Sequence, residues 1–218
     1  KSVMEYLGYL ALGSVAGLVS GLFGLGGGTV IVPILLLVFA AQGIPPEIST
    51  HMAIATSLAC ISITSISSIY THYQKGAVNW SLAQLFIPGM VLGTFIGTSF
   101  FVSLDGVALQ LLFGVFLLAI GLQMTVYKTV ESDAKLPSRT FLMSSGATIG
   151  GVSALFGVGG GMFTTPLLTH FGVKIHQAIG IAAVGGFCVA LPASIVYGVI
   201  DISTTGLPES TLGYIFLP

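Results

Sequence analysis

Apolar positions fill this chain in long stretches, and polar positions gather between them. The apolar runs cover roughly 4–22, 29–40, 48–72, 81–103, 107–127, 140–155, 162–172 and 177–198, and another starts at 211–218. None shows the period of two that marks a half-buried strand. Most are long enough to cross a hydrocarbon core of about 30 Å as helices. Residues 29–40 and 162–172 are too short, because at about 1.5 Å per residue they rise only about 16–18 Å. Each follows a glycine cluster, Gly24-Leu25-Gly26-Gly27-Gly28 and Gly157-Val158-Gly159-Gly160-Gly161. The pattern predicts an all-α integral membrane protein in which two helical segments are interrupted by glycine.

The two interruptions belong to an internal repeat. Gly13–Leu35 aligns with Gly146–Leu168 at an offset of 133, with 12 of 23 positions identical. The shared core is Ser20-x-Leu22-Phe23-Gly24-x-Gly26-Gly27-Gly28 with Pro33, against Ser153-x-Leu155-Phe156-Gly157-x-Gly159-Gly160-Gly161 with Pro166. Fainter echoes pair Gly76-Ala77-Val78-Asn79 with Gly198-Val199-Ile200-Asp201, and Phe86-Ile87-Pro88 with Phe216-Leu217-Pro218. The reading is a first repeat over 1–127, a charged linker over 128–139 and a second repeat over 140–218. After Pro88 the first copy runs on for 39 residues to Tyr127, so the repeat predicts a continuation beyond Pro218 on the order of 40 residues. The first run reads as part of the mature fold and not as a secretory leader, since its near copy recurs deep inside the chain.

Charge sets the expected topology. The linker holds Lys128, Lys135 and Arg139, half of the basic residues, and is placed in the cytoplasm. The Asp105 turn and the loop 41–47 then lie outside, and the Lys75 loop lies inside. If the glycine-broken pair 140–172 returns to its starting side as a helical hairpin, Lys174 lies inside and the loop 199–210, free of Lys and Arg, lies outside. Lys1 falls outside, against the rule. The two repeats come out inverted. Inverted repeats with paired interrupted helices point to a secondary transporter with its site near the midplane.

Composition narrows the class. With 6 basic and 7 acidic residues among 218, and 54% apolar residues, a soluble globular chain could not cover its surface. A mean hydropathy of +1.03 equally excludes disorder. A net charge of −1 carries no footprint for nucleic acid. Cys60 and Cys188 lie within apolar runs and read as small buried hydrophobes, without metal-ligand spacing. No metal and no cofactor is expected.

The glycine clusters carry the candidate chemistry. Consecutive glycines allow positive φ and close approach of the backbone to a ligand. The helices that follow, from Thr29 and Met162, present free N–H groups and the positive end of a dipole. Together these make an anion site without a charged side chain, and no Lys or Arg lies within the spans. Gly26, Gly27, Gly28, Thr29, Gly159, Gly160 and Gly161 are the backbone candidates. Ser20 and Ser153 offer hydroxyls one turn earlier, and Phe23 and Phe156 are candidate walls.

The doubled S-x-L-F-G-x-G-G-G…P motif, followed by Ala53-Ile54-Ala55-Thr56-Ser57-Leu58, resembles the sulfite exporter TauE/SafE family of bacterial membrane proteins. The resemblance covers both halves. It implies a multi-pass permease of the bacterial inner membrane that exports sulfite or a related organosulfur anion. Its partners would be the lipid bilayer and that small anion, with room for a homodimer. Thr56 and Ser57 become candidate contacts. Their counterpart Ala182-Ala183-Val184-Gly185-Gly186-Phe187 lacks hydroxyls, so the site should be asymmetric.

Other polar residues within the runs have competing readings. An intramembrane histidine is expensive, which makes His51 a proton-relay candidate. Ser57, Thr64, Ser68 and Thr71 share a helical face and serve either as helix–helix contacts or as a pathway lining. Trp80 reads as an interfacial anchor. A passive anion channel is the nearest alternative to a carrier. An intramembrane hydrolase built on Ser20 in Gly17-x-x-Ser20-Gly21, with His51 as base, is disfavoured. Ser153 repeats Ser20, but Gly180 stands where His51 would recur. No enzyme is expected.

Overall fold

The structure, a computed structural model, describes residues 8, 10–18, 27–126, 136–199 and 211–216. Helix α1 covers 10–18. It is followed by α2 (Gly28–Ala41), α3 (Pro46–Gln74), α4 (Trp80–Phe101), α5 (Gly106–Val126), α6 (Arg139–Phe156), α7 (Gly161–His170) and α8 (Ile175–Val199). Each bound lies within a few residues of the apolar run that predicts it. The α2 and α7 helices have 14 and 10 residues, the short pair foreseen from the glycine interruptions. Residues 127–135, including Lys128 and Lys135, lie outside the described residues, as do Lys1 and the segment 200–210 beyond Val199.

Helix ends follow local chemistry. The Asn79 side chain accepts from the Leu82 N–H at 3.2 Å and opens α4, and the Ser138 hydroxyl accepts from the Phe141 N–H at 3.3 Å and opens α6. The ends of α2 and α7 share one motif. Gly43 and Gly172 both adopt φ of 75°. The Ile44 N–H reaches the Phe39 carbonyl at 3.0 Å, and the Val173 N–H reaches the Leu168 carbonyl at 3.1 Å. These are Schellman caps, and Phe39 and Leu168 beneath them are fully buried. The same stop signal thus closes both short helices.

The α3 and α8 helices pack along each other at the centre, with the Ser62 and Ser194 hydroxyls 3.4 Å apart between them. The α2 helix leans on α3 as α7 leans on α8, and α5 covers another side of α3. The outer faces carry exposed Ile63, Ile66, Leu92, Ile96, Leu118 and Ile195. So much outward apolar surface fits lipid, not water. The α3, α4 and α8 helices each have the length and apolarity to cross a membrane. Cys60 departs from the buried reading, being exposed on the outer side of α3.

The most extensive helix contact joins α4 to α6. It rests on small residues, because side chains in lipid gain little from burial and close backbone packing takes over. Gly89, Gly93 and Gly97 recur every fourth residue on α4 and face Met143, Ala147 and Gly151 on α6. A Cβ on Gly93 would land on the Ala147 carbonyl oxygen, and one on Gly150 would land on the Met90 carbonyl oxygen. The Thr94 hydroxyl reinforces the seam, donating to the Met90 carbonyl at 2.8 Å with the Gly150 carbonyl at 3.3 Å.

The segment from Thr211 does not start a helix within the described residues. Thr211–Leu212 pairs antiparallel with Ile215–Phe216 around Gly213, which takes φ of 56°. The ribbon docks on α3 and α8 through two backbone donors. The Tyr214 N–H reaches the Tyr197 carbonyl at 3.1 Å, and the Phe216 N–H reaches the Thr56 hydroxyl at 2.9 Å.

Gly93→Ala is expected to destabilise the fold by about 1–3 kcal/mol, because the seam cannot absorb a methyl group without moving backbone. Gly114→Ala on α5, where a Cβ meets open space, should stay within about 0.5 kcal/mol of the parent. Thermal unfolding of the two variants in detergent checks this, and equal melting temperatures would contradict the seam.

Candidate functional site

The second glycine cluster makes a sharp, fully buried turn between α6 and α7. Gly157 ends α6 in the left-handed region, with φ of 67°, and the Val158 N–H returns to the Ser153 carbonyl at 2.9 Å. Gly160 is left-handed again, with φ of 71°, and serves as the N-cap of α7 without any side-chain cap. Residues 157–160 are all buried, so the bare backbone is shielded by protein, the condition for irregular structure at membrane depth. The first bonds of α7 are made by the Phe163 and Thr164 N–H groups, which reach the Gly160 carbonyl at 3.2 and 3.0 Å. The N–H groups of Gly161 and Met162 precede them and remain outside the helical ladder.

Three elements hold this turn. The Ser57 hydroxyl of α3 donates to the Gly157 carbonyl at 2.9 Å. Gly28, which opens α2, lies against the same carbonyl, and a Cβ there would also come within 2.8 Å of the Val158 Cα. On α8, a Cβ at Gly186 would lie 2.7 Å from the Gly159 carbonyl oxygen. The two glycine clusters and Ser57 therefore meet at one point. That point is opposite Ile54, Ser57 and Ile61, near the middle of the 29-residue α3.

Two hydroxyls beside the turn are left over. Ser153 and Thr164 are fully buried, and neither Oγ of Ser153 nor Oγ1 of Thr164 has a hydrogen-bond partner among the described residues. The Ser153 Oγ lies 3.5 Å from the point where a Gly160 Cβ would stand. An unpaired buried hydroxyl costs about 1–3 kcal/mol, so each calls for a partner such as a water molecule or an ion. Among the described residues Lys75, Arg139 and Lys174 stand at helix ends, and the turn itself carries partial charges alone. A helix N-terminus contributes the equivalent of roughly half a positive charge. Free N–H groups, that dipole and a spare hydroxyl suit a compact anion. Among the described residues, no group of three or more His, Cys, Asp or Glu gathers in a way that could hold a metal ion.

The remaining sequence candidates divide. Ser20, Phe23 and Gly26 lie outside the described residues. Gly27 is helical, with φ of −50°, so the first cluster shows no left-handed opening there to match Gly160. Thr29 is buried in the first turn of α2. Thr56 faces the terminal ribbon, where its hydroxyl accepts from Phe216. Phe156 stacks on Phe116 with ring centroids 4.1 Å apart and also contacts Phe113. These contacts pin α6 to α5. Thr64 and Thr71 are exposed and bond back to their own helix, so the face shared by Ser57, Thr64, Ser68 and Thr71 splits, with Ser57 buried; Ser62 and Ser65, outside that set, are buried as well. His51 is buried, its Nδ1 is 3.2 Å from the Glu47 carbonyl, and its ring stacks on Tyr214. Its Nε2 has no partner among the described residues.

Sequence reasoning missed Thr164, Gly186 and Met90. Gly185-Gly186 read as a loss of hydroxyls, whereas Gly186 makes room for the Gly159 carbonyl. A glycine pair inside a long span was the available signal.

Comparison with known proteins gives a consistent family. The model of the "Sulfite exporter TauE/SafE" family matches residues 9–218. A "Probable membrane transporter protein" of Haemophilus influenzae is 33% identical over 212 residues, covering 96% of this chain and 80% of that protein. One from Methanocaldococcus jannaschii is 31% identical over 210 residues, covering 95% and 74%. One from Bacillus subtilis is 29% identical over 197 residues, covering 80% and 72%. No solved structure matches the chain at a significant level.

Ser57→Ala should lower stability by about 1–3 kcal/mol, since it leaves the buried Gly157 carbonyl without its donor. Thr64→Ala, which removes an exposed hydroxyl bonded within its own helix, should change little. Paired thermal melts in detergent measure the difference, and an unaffected Ser57→Ala melt would remove Ser57 from the turn's support.

Proposed function

This chain belongs to the sulfite exporter TauE/SafE family of membrane transporters, and from that premise we propose that it exports sulfite or a small organosulfur anion across a bacterial inner membrane. It works as a secondary transporter. The anion is held where α7 begins, by the Gly161 and Met162 N–H groups and the Ser153 hydroxyl, with Gly159 and Gly160 bringing the backbone close. The observation that carries this reading is the conjunction of an uncapped helix N-terminus with the unpartnered, fully buried Ser153 Oγ beside it.

The two repeats lie inverted across the bilayer and rock about the point where Gly28 meets Gly157, which exposes the anion alternately to either side. Packing without side chains at that point supports such movement, because a contact between glycines carries no interlocking side chains to separate. The site lacks a full countercharge, and the cost of a dehydrated anion rises steeply with its charge. Sulfite therefore travels as the monoanion or with a proton. His51 is the candidate relay, a buried histidine whose Nε2 has no partner among the described residues.

The full-length protein in liposomes tests the reading through radiolabelled sulfite flux. Flux should saturate with sulfite and rise as the pH falls on the loading side. Gly160→Ala, which forces a side chain into a left-handed position, should lower flux at least tenfold, and Gly114→Ala should leave it unchanged. His51→Ala should flatten the pH profile. Parental flux in Gly160→Ala would refute the anion site, non-saturating flux would indicate a channel, and an unchanged pH profile in His51→Ala would remove the relay.

A further inference from the structure

Met90 of α4 is fully buried, and its side chain runs through a slot lined by glycines from three other parts of the chain. A Cβ on Gly185 of α8 would stand 2.8 Å from the Met90 Sδ and 3.0 Å from its Cε. A Cβ on Gly160, in the turn, would stand 2.8 Å from the Cε. A Cβ on Gly146 of α6 would stand 3.5 Å from the Cγ. A second glycine of α6, Gly150, lies against the Met90 backbone carbonyl. The α6 helix, the turn and α8 all lack a side chain where this thioether passes.

The far end of the side chain meets the candidate site. The Met90 Cε and the Ser153 Oγ both stand over Gly160, at 2.8 and 3.5 Å from its Cβ position, so the thioether methyl fills the space beside that hydroxyl and must turn aside for a ligand there. We propose that Met90 sets the size of the anion that the α7 site accepts, a role that rests on the anion-site reading above. An oxyanion bound to the Ser153 hydroxyl and the α7 N–H groups shares this space with the Met90 methyl. Methionine is unbranched and polarizable, so it yields to a compact head group by rotating. It leaves no room for a long substituent, because glycine backbone closes the slot on its other sides. The accepted class is a compact sulfur oxyanion carrying no organic group or a very small one.

Two substitutions act on the slot from opposite sides. Met90→Ala removes the Cγ, Sδ and Cε atoms and should admit a longer alkyl chain. Gly185→Ala adds a methyl group against the sulfur and should push the thioether toward Gly160. Its effect should vanish when Met90 is already alanine, since only contacting residues couple.

The test uses the full-length protein in liposomes, with radiolabelled sulfite and propanesulfonate as competing probes. Met90→Ala should raise the propanesulfonate-to-sulfite flux ratio at least tenfold. Met90→Leu, similar in volume, should keep the parental ratio. Gly185→Ala should cut sulfite flux severalfold in the parent and have no effect in Met90→Ala. An unchanged ratio in Met90→Ala with sulfite flux retained would overturn the role of Met90 and leave the anion site standing. If Met90→Ala does not fold, the Gly185→Ala and Met90→Leu arms decide: parental sulfite flux in Gly185→Ala, or an altered ratio in Met90→Leu, overturns the proposal. A parental protein that moves neither anion would overturn the anion site and this proposal with it.

Discussion

The carbonyl of Gly157 is the point on which this structure turns. It sits at the end of α6, against the opening of α2 and within 2.9 Å of the Ser57 hydroxyl of α3. A bare carbonyl in a membrane interior needs a donor or shielding by protein. Here Ser57 supplies the donor, and Gly28 admits the close contact because it has no side chain. With that carbonyl fixed, Gly157 is held left-handed, the chain reverses, and Gly160 opens α7 beside the Ser153 hydroxyl. A bulkier residue at 28 or a missing hydroxyl at 57 would release the turn and with it the alignment of the free N–H groups.

Most of the fold could be read from the sequence because membrane helices announce themselves by length and apolarity. The short α2 and α7 helices were legible for the same reason, since glycine clusters stop a helix and the residue counts fix what remains. The α4–α6 seam was not read, although Gly89, Gly93 and Gly97 recur at the spacing of one helical face. Its partner residues lie more than 50 positions away, and nothing local says which helix a glycine face will meet. The Thr211–Phe216 ribbon was read as the start of a span. Its apolar composition suits either form, and the turn depends on Gly213 and on acceptors supplied by Thr56 and Tyr197.

The candidate site was half legible. The repeat drew attention to Gly157–Gly161 and Ser153, and the structure brings them together with Ser57 and Gly28. The repeat also pairs equivalent residues whose surroundings differ. Gly27 is helical where Gly160 is left-handed, and Phe156 packs into an aromatic cluster. Equivalent sequences occupy different surroundings once α8 presents Gly185-Gly186 where α3 presents Thr56-Ser57. Met90 could not be found from sequence, because a methionine in an apolar span carries no mark until glycines from three other parts of the chain are seen to enclose it.

The central claim is that the anion rests where α7 begins. Crystals of the full-length protein grown with selenite, a heavier oxyanion analogue of sulfite, test it by the anomalous signal of selenium. The account predicts a single peak over Gly160, with selenite oxygens about 3 Å from the Gly161 and Met162 nitrogens and from the Ser153 Oγ. Selenite bound instead beside Lys75, Arg139 or Lys174 at the helix ends, with the turn left empty, would contradict it.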